Sequence, residues 1–163
     1  MILNNFYQII KVLTNTPNEN NTYPISLTDT SGNIFSTING EAGVQIRNAF
    51  NTGWTMDGIN DSIKIQLGVM QGEITPQTYD FTTKNENLTQ TTQIVRNNES
   101  SVIDILSTIT NDTEDRVSFN AVGLQLKTTY DENFRGKFLL TMQKKNISIA
   151  PYESIVLRAK VNY

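Results

Sequence analysis

The pattern of hydrophobic and polar positions changes once along this chain, close to its start. In the first 13 residues the apolar side chains recur every three to four positions, which is typical of a helix with one apolar face. These side chains are those of Leu3, Phe6, Ile10 and Leu13, with Ile2 and Ile9 at the margins of the stripe. Asn4 or Asn5 can accept a hydrogen bond at the helix start. The pattern therefore predicts a short amphipathic helix within residues 1–16.

A polar segment, "NTPNENNTYP", separates this helix from the rest of the chain. Pro17 and Pro24 cannot continue a helix, and runs of Asn are typical of loops, so we assign residues 17–24 to a linker. Two roles for the helix stay open. It covers an open end or edge of its own domain, or it docks on another subunit with reach supplied by the linker. In the docking role the partner-binding residues are Leu3, Phe6, Ile9, Ile10 and Leu13.

Beyond Pro24 the hydrophobic pattern alternates with a period of two, which indicates strands. The segments "ISLTD" and "IFSTI" flank "TSGN", a tight turn in which Gly32 is available for a positive φ. We expect "GVQIRNAF" to form another strand or a curved edge. The alternation is clearest in "SIKIQLGV", where Ile63, Ile65 and Leu67 share one face.

The second half of the chain continues the alternation. "MQGEITPQTYDFTTKN" leaves the sheet, and we expect Tyr79 and Phe81 to anchor it across the domain. Gly123 is expected to mark a bulge or a close approach of two backbones. Further strands are predicted in "SSVIDILSTITN", "RVSFNAVGLQLK", "GKFLLTM", "ISI" and "IVLRAKVNY", with turns at "QKKN" and "APYES".

Short alternating segments joined by Gly, Pro and Asn turns predict a mainly β protein. No crossover helices separate the segments, which disfavours a parallel α/β sheet. We therefore expect an antiparallel β-sandwich or jelly-roll-like domain over residues 25–163, with the short helix before it. A chain of 163 residues is about the length of one domain.

The composition narrows the possible chemistry. The chain contains no Cys and no His, which excludes disulfides, thiolate zinc sites and the commonest general base. Any catalysis would rest on carboxylates, Lys, Tyr or hydroxyls, and no nucleotide-binding or nucleophile motif is present. We expect no catalytic residue, no metal and no cofactor.

The charge and the hydropathy of the chain bear on its partners. A net charge of −3 argues against nucleic acids and anionic membranes as partners held by a positive field. No apolar run approaches the ~20 residues of a membrane span. The N-terminus lacks the basic region and the cleavage site of a signal peptide, so we expect synthesis in a cytoplasm.

Acidic residues cluster in "TNDTEDR", at Asp112, Glu114 and Asp115. Carboxylates and Asn carbonyls are ligands that calcium accepts, but the residue order of an EF-hand loop is missing. Alternating segments precede and follow the cluster, so we expect a hairpin turn or a connection between two sheets. The same two alternatives apply to "DGIND", residues 57–61.

Aromatic residues are the remaining candidates for ligand contact. Trp54, Tyr79, Phe81 and Tyr152 could line a sugar-binding surface, although most aromatic side chains belong to cores. Of these, Trp54 and Tyr79 are our candidates for a possible ligand surface.

The order of the segments resembles that of small virion structural proteins of tailed bacteriophages. The resemblance covers nearly the whole chain in short, degenerate pieces. It departs from the pattern around Gly68 and Gly72, where this chain has fewer glycines. The pieces are "NNFYQIIKVL", "SLTDTSGN", "LGVMQGEITPQTYDF", "ITNDTEDRVSFNAVGL", "KFLLTM" and "ISIAPYESIVLRAKVNY".

This resemblance implies a non-enzymatic β-sandwich protein that decorates or stabilises a phage capsid, as an auxiliary or head-fibre protein. It implies a homo-oligomer whose partners are other virion proteins, capsid or tail subunits, and whose location is the virion after synthesis in the bacterial cytoplasm. The alternative is a tail component or a receptor- or carbohydrate-binding module.

Overall fold

The computed structural model describes residues 1–52, 62–84, 88–97, 102–129 and 134–162. The chain is mainly β, with antiparallel sheets and a short N-terminal helix, as the alternation predicts. The helices are α1 (Asn4–Thr14) and α2 (Gly40–Thr52). The strands are β1 (Thr22–Thr28), β2 (Ile34–Asn39), β3 (Ile63–Val69), β4 (Thr83–Lys84), β5 (Leu88–Asn97), β6 (Val102–Asn111), β7 (Val117–Thr129), β8 (Arg135–Ile149) and β9 (Ser154–Asn162).

The two larger sheets form a sandwich-like core. In the described residues one sheet has the order β4-β3-β7-β8, the other β5-β6-β9, and β1 pairs with β2. Alternate residues of the larger sheets face the same core because the side-chain period of a strand is two. That shared core includes Ile63, Ile65, Leu124, Leu126, Ile103, Ile105 and Val161.

The N-terminal segment belongs to this unit. Before α1 begins, Met142 N–H donates to the Met1 carbonyl at 3.0 Å, and Leu3 N–H donates to the Leu140 carbonyl at 3.0 Å. Residues 1–3 thus extend the four-stranded sheet past β8. Ile9 of α1 is buried in the main core. Of the two roles left open for the helix, covering an edge of its own domain is the one seen here.

Helix α1 starts differently from our expectation. Leu3 is the N-cap residue, and no side chain caps it. The Asn5 side chain instead reaches across to two strands. Its Nδ2 donates to the carbonyls of Thr28 (2.8 Å) and Leu139 (3.0 Å), and its Oδ1 accepts from Thr28 N–H at 2.8 Å. Asn5 is buried, so this amide joins α1, β1 and β8.

The prediction of a strand at "GVQIRNAF" is wrong, because this segment lies in helix α2. Asn39 begins the helix: its Oδ1 accepts a hydrogen bond from Ala42 N–H at 2.8 Å, which is typical of an N-cap. The face of α2 that lies in the core is formed by Ala42, Ile46, Ala49 and Phe50, all at most 1% exposed. The helical spacing of these residues overrides the shorter alternation of Val44 and Ile46.

The linker over residues 17–24 is shorter than predicted, because β1 begins at Thr22. Asn18 folds the preceding residues into a turn. Its Oδ1 accepts from the N–H groups of Asn20 (3.1 Å) and Thr22 (2.9 Å). This segment is therefore a compact connection between α1 and β1.

Two further differences concern strands. The predicted turn "QKKN" is part of β8, which runs on to Ile149, and Ala121 of β7 pairs with Lys144 within it. Strand β5 was not predicted. The close approach at Gly123 is confirmed, since a Cβ there would lie 2.6 Å from the Thr141 carbonyl oxygen.

Candidate functional site

The residues predicted to bind a partner are divided between the core and its margin. Leu3 and Ile9 are 0% exposed and contact the chain's own core. Phe6 and Leu13 pack against that core while partly buried, and Ile10 is half-buried. The helix has one apolar face, and its own domain covers it. A partner could reach Leu3 and Ile9 only if the segment left the core, so these two are core residues in this structure.

The acidic cluster is a connection between the two larger sheets. Asp112, Glu114 and Asp115 are exposed between β6 and β7. Asn111 organises the connection: its buried Nδ2 donates to the carbonyl of Asp115 at 2.7 Å and to that of Ile149 at 3.2 Å. No group of three possible metal ligands occurs among the described residues. The structure thus places a turn here, as expected.

Of the two aromatic residues predicted for a ligand surface, only Tyr79 lies in the part of the chain that the structure describes. Trp54 and the segment "DGIND" lie outside the described residues. Tyr79 is 44% exposed, and its ring lies over the β1–β2 turn: a Cβ on Gly32 would be 3.6 Å from the Tyr79 hydroxyl. Phe81 is buried and touches Gly68, so it anchors the loop as predicted. Tyr79 is therefore an accessible aromatic side chain beside the β1–β2 turn.

The same turn borders a basic cavity of about 710 Å³. Its cations are Lys127, Arg135 and Lys137, and Lys127 stands directly opposite Lys137 in the β7–β8 ladder. Like charges in opposing positions repel, which favours an anion between them. The carboxylate of Asp29 also lines the cavity, but it is buried and accepts from the N–H groups of Ser31 (2.9 Å) and Asn33 (2.8 Å).

This basic cluster is not predicted by the sequence pattern. Lys127 and Lys137 are ten positions apart, and only the register of β7 and β8 brings them together. No local spacing in the sequence signals such a pair. Thr30, Ser31 and Asn33 add hydroxyl and amide groups to the rim of the cavity.

The outer face of the β5-β6-β9 sheet is the second surface of interest. Its side chains form rows across the strands because the three strands are in continuous register. The rows are Thr89 with Thr110 and Ser154; Thr91 with Thr108 and Val156; Gln93 with Leu106 and Arg158; and Val95 with Asp104 and Lys160. The first two rows carry no charge, and Val156 is 64% exposed.

One ion pair lies at the charged end of this face. The Arg158 guanidinium donates to both carboxylate oxygens of Asp104, at 3.0 and 2.6 Å. This hydrogen bonding lowers the pKa of Asp104 and raises the pKa of Arg158. Both groups are at the surface, so the pair orients the side chains more than it stabilises the fold.

Comparison with known proteins found no relative: no family model, no curated protein and no solved structure matches the chain. Within the described ranges, neither helix has the length and apolar character needed to cross a membrane.

Proposed function

We propose that this chain is a non-enzymatic structural protein of a tailed-bacteriophage virion, which decorates or stabilises the capsid through protein–protein contacts. The observation that carries the proposal is the outer face of the β5-β6-β9 sheet. Its two uncharged rows combine hydroxyl side chains with the exposed Val156, and the centres of protein interfaces are depleted of charge in the same way.

The virion assignment is supported by the order of sequence segments given above. That resemblance implies a β-sandwich-like fold, and the mainly β architecture agrees with it. A capsid auxiliary or head-fibre protein acts in several copies through its surfaces, and an uncharged sheet face suits such packing.

The proposal is tested first on purified particles, by mass spectrometry and by immunogold labelling with an antibody to this chain. Gold spread over heads is the expected result. Gold confined to tails would replace the capsid role by that of a tail component. Absence of the chain from every particle would contradict the virion role altogether.

The contact face is tested with Val156→Asp, which places a carboxylate in the uncharged rows. We expect the affinity for particles to fall by about tenfold or more, because a desolvated unpaired charge is costly. Thr37→Asp is the matched control, since it adds the same charge at an exposed position of β2. Equal binding by both variants would exclude this face while leaving the virion role standing.

A second candidate function, recognition of an acidic glycan receptor, is favoured by Tyr79 and the basic cavity. Aromatic rings stack on sugar rings, and Lys or Arg side chains pair with carboxylates. Tyr79 lies beside Gly32 of the β1–β2 turn, and Asn33 of that turn lines the cavity together with Lys137 of β8, so both kinds of contact are available around the turn.

This candidate is tested on an array that carries neutral and acidic glycans. We expect Tyr79→Ala to weaken all glycan binding and Lys137→Glu to remove only the acidic ligands. Tyr152→Ala, at an exposed tyrosine in the β8–β9 turn, is the control. A wild-type chain that binds no glycan would exclude this function.

A further inference from the structure

The longer edge strands of the two larger sheets are protected to different degrees. An unprotected edge presents free backbone N–H and carbonyl groups that can pair with another chain. At β8, residues 1–3 cover the middle of the edge through the bonds at Leu140 and Met142. At β9, Arg158 and Lys160 stand on the edge strand, and charged side chains discourage pairing.

The edge at β5 is less protected, because its one charged residue, Arg96, stands next to the end of the strand. From Leu88 to Val95 the strand holds no charged residue and no Pro. It pairs with β6 over its whole length, from Leu88 with Asn111 to Asn97 with Val102, without a register shift. Only β6 pairs with it within the described residues. In the part of the chain that the structure describes, the far side of β5 therefore presents a regular row of backbone groups that can extend the sheet.

We propose that β5 of a second copy of this chain pairs with this edge, antiparallel about a two-fold axis, and joins the two three-stranded sheets into one continuous sheet. Centred on Thr92, the pairing sets Thr91 opposite Gln93 and Thr89 opposite Val95. None of these pairs brings like charges together. The pairing also buries part of Val95, which is 44% exposed in the single chain.

Charge favours a second copy as the occupant. Two copies of β5 are mutually compatible because neither carries charge from Leu88 to Val95. A two-fold pairing of β9 centred on Ala159 would set Arg158 of one copy opposite Lys160 of the other, and these like charges would oppose it. The chain as a whole has a net charge of −3, so long-range repulsion between copies is weak. The resulting sheet of six strands has an ordinary size.

This dimer deepens the oligomeric part of the proposed function, on which it rests only for its biological setting. It is measured on the purified chain in solution, whereas the virion role is measured on particles. The dimer and the virion role can therefore be contradicted independently of each other.

The pairing is tested with Thr91→Lys, which puts a lysine from each copy beside the axis. Thr91 is exposed on the outer face, so the folded chain tolerates the change. We expect the dimer dissociation constant, from light scattering across a concentration series, to rise by about tenfold or more. Thr108→Lys is the matched control. It lies next to Thr91 on the same face, but one strand inside the edge, and it should leave the dimer intact.

The absence of cysteine allows a second, direct measurement. Thr91→Cys and Gln93→Cys copies, mixed and mildly oxidised, should form a disulfide-linked dimer, while Thr108→Cys copies should stay monomeric on a non-reducing gel. Circular dichroism establishes that each variant is folded. A wild-type chain that is monomeric at every concentration, or a dimer that Thr91→Lys and the cysteine pairs leave unaffected, would overturn the proposal.

Discussion

Asn5 shows how much a single polar side chain contributes to this fold. It is buried, and its amide makes bonds to both backbone groups of Thr28 and to the Leu139 carbonyl. A buried backbone group without a partner costs free energy because it has lost its bonds to water. One side chain thus satisfies β1 and β8 at the point where α1 meets them.

The first prediction at this scale concerns Asn5→Ala. We expect the free energy of unfolding to fall by about 2–3 kcal/mol, because the change leaves buried partners unsatisfied. Urea denaturation measures the effect. Asn4→Ala is the control, since Asn4 is an exposed neighbour in the same helical turn, and it should change stability by less than about 0.5 kcal/mol. Similar values for the two variants would show that the Asn5 bonds contribute little.

Among the elements, α1 is the one whose position bears most on function. Its apolar face lies on its own domain, and Arg47 of α2 holds its C-terminal end through a bond from Nη2 to the Val12 carbonyl at 2.9 Å. A cation at the C-terminus of a helix also complements the helix dipole. An element fixed at both ends in this way acts as part of the core.

The prediction for this element compares Ile9→Ala with Tyr7→Ala. Ile9 is wholly buried, so its truncation should lower the free energy of unfolding by about 2–4 kcal/mol. Tyr7 is 55% exposed, and its truncation should have a small effect. Thermal unfolding and particle binding are measured together. Unchanged stability with lost particle binding in Ile9→Ala would favour the docking role of the helix instead.

Across the whole molecule, side-chain hydrogen bonds join the two larger sheets at the part of β3 that has no neighbouring strand on one side among the described residues. The Ile65 N–H of β3 points to Ser107 Oγ on β6 at 3.4 Å, and Gln90 Nε2 of β5 donates to the Ile65 carbonyl at 2.8 Å. Strand β4 pairs with β3 only at Gly68 and Val69, so these side chains satisfy backbone groups that a longer neighbour would otherwise bind.

The proposed dimer depends on how the three-stranded sheet is held by the rest of the chain. Ser107 and Gln90 bond to each other and to the backbone of Ile65 in β3, which holds the inner face of the three-stranded sheet on the rest of the chain. A rigid edge loses little entropy on pairing. The lysine at position 91 is expected to act through that edge alone, because the inner contacts are on the opposite face.

Local sequence pattern was sufficient to predict the mainly β class, the strands with clear alternation and the turn at the acidic cluster. A strand such as β3 or β6 buries every second residue, so its pattern is visible locally. The segment of α2 was ambiguous because its short apolar run fits both periods, and only packing against the core selects the helix.

Which surfaces are covered and which are open depends on contacts between residues that are far apart in the sequence. The bond between Met1 and Met142 joins residues 141 positions apart, and the opposition of Lys127 to Lys137 depends on strand register. Tyr79 lies beside Gly32 of the β1–β2 turn only because the folded chain brings the two segments together. Local periodicity indicates that a side chain faces an apolar surface. Long-range register decides whether that surface belongs to the same chain or to a partner.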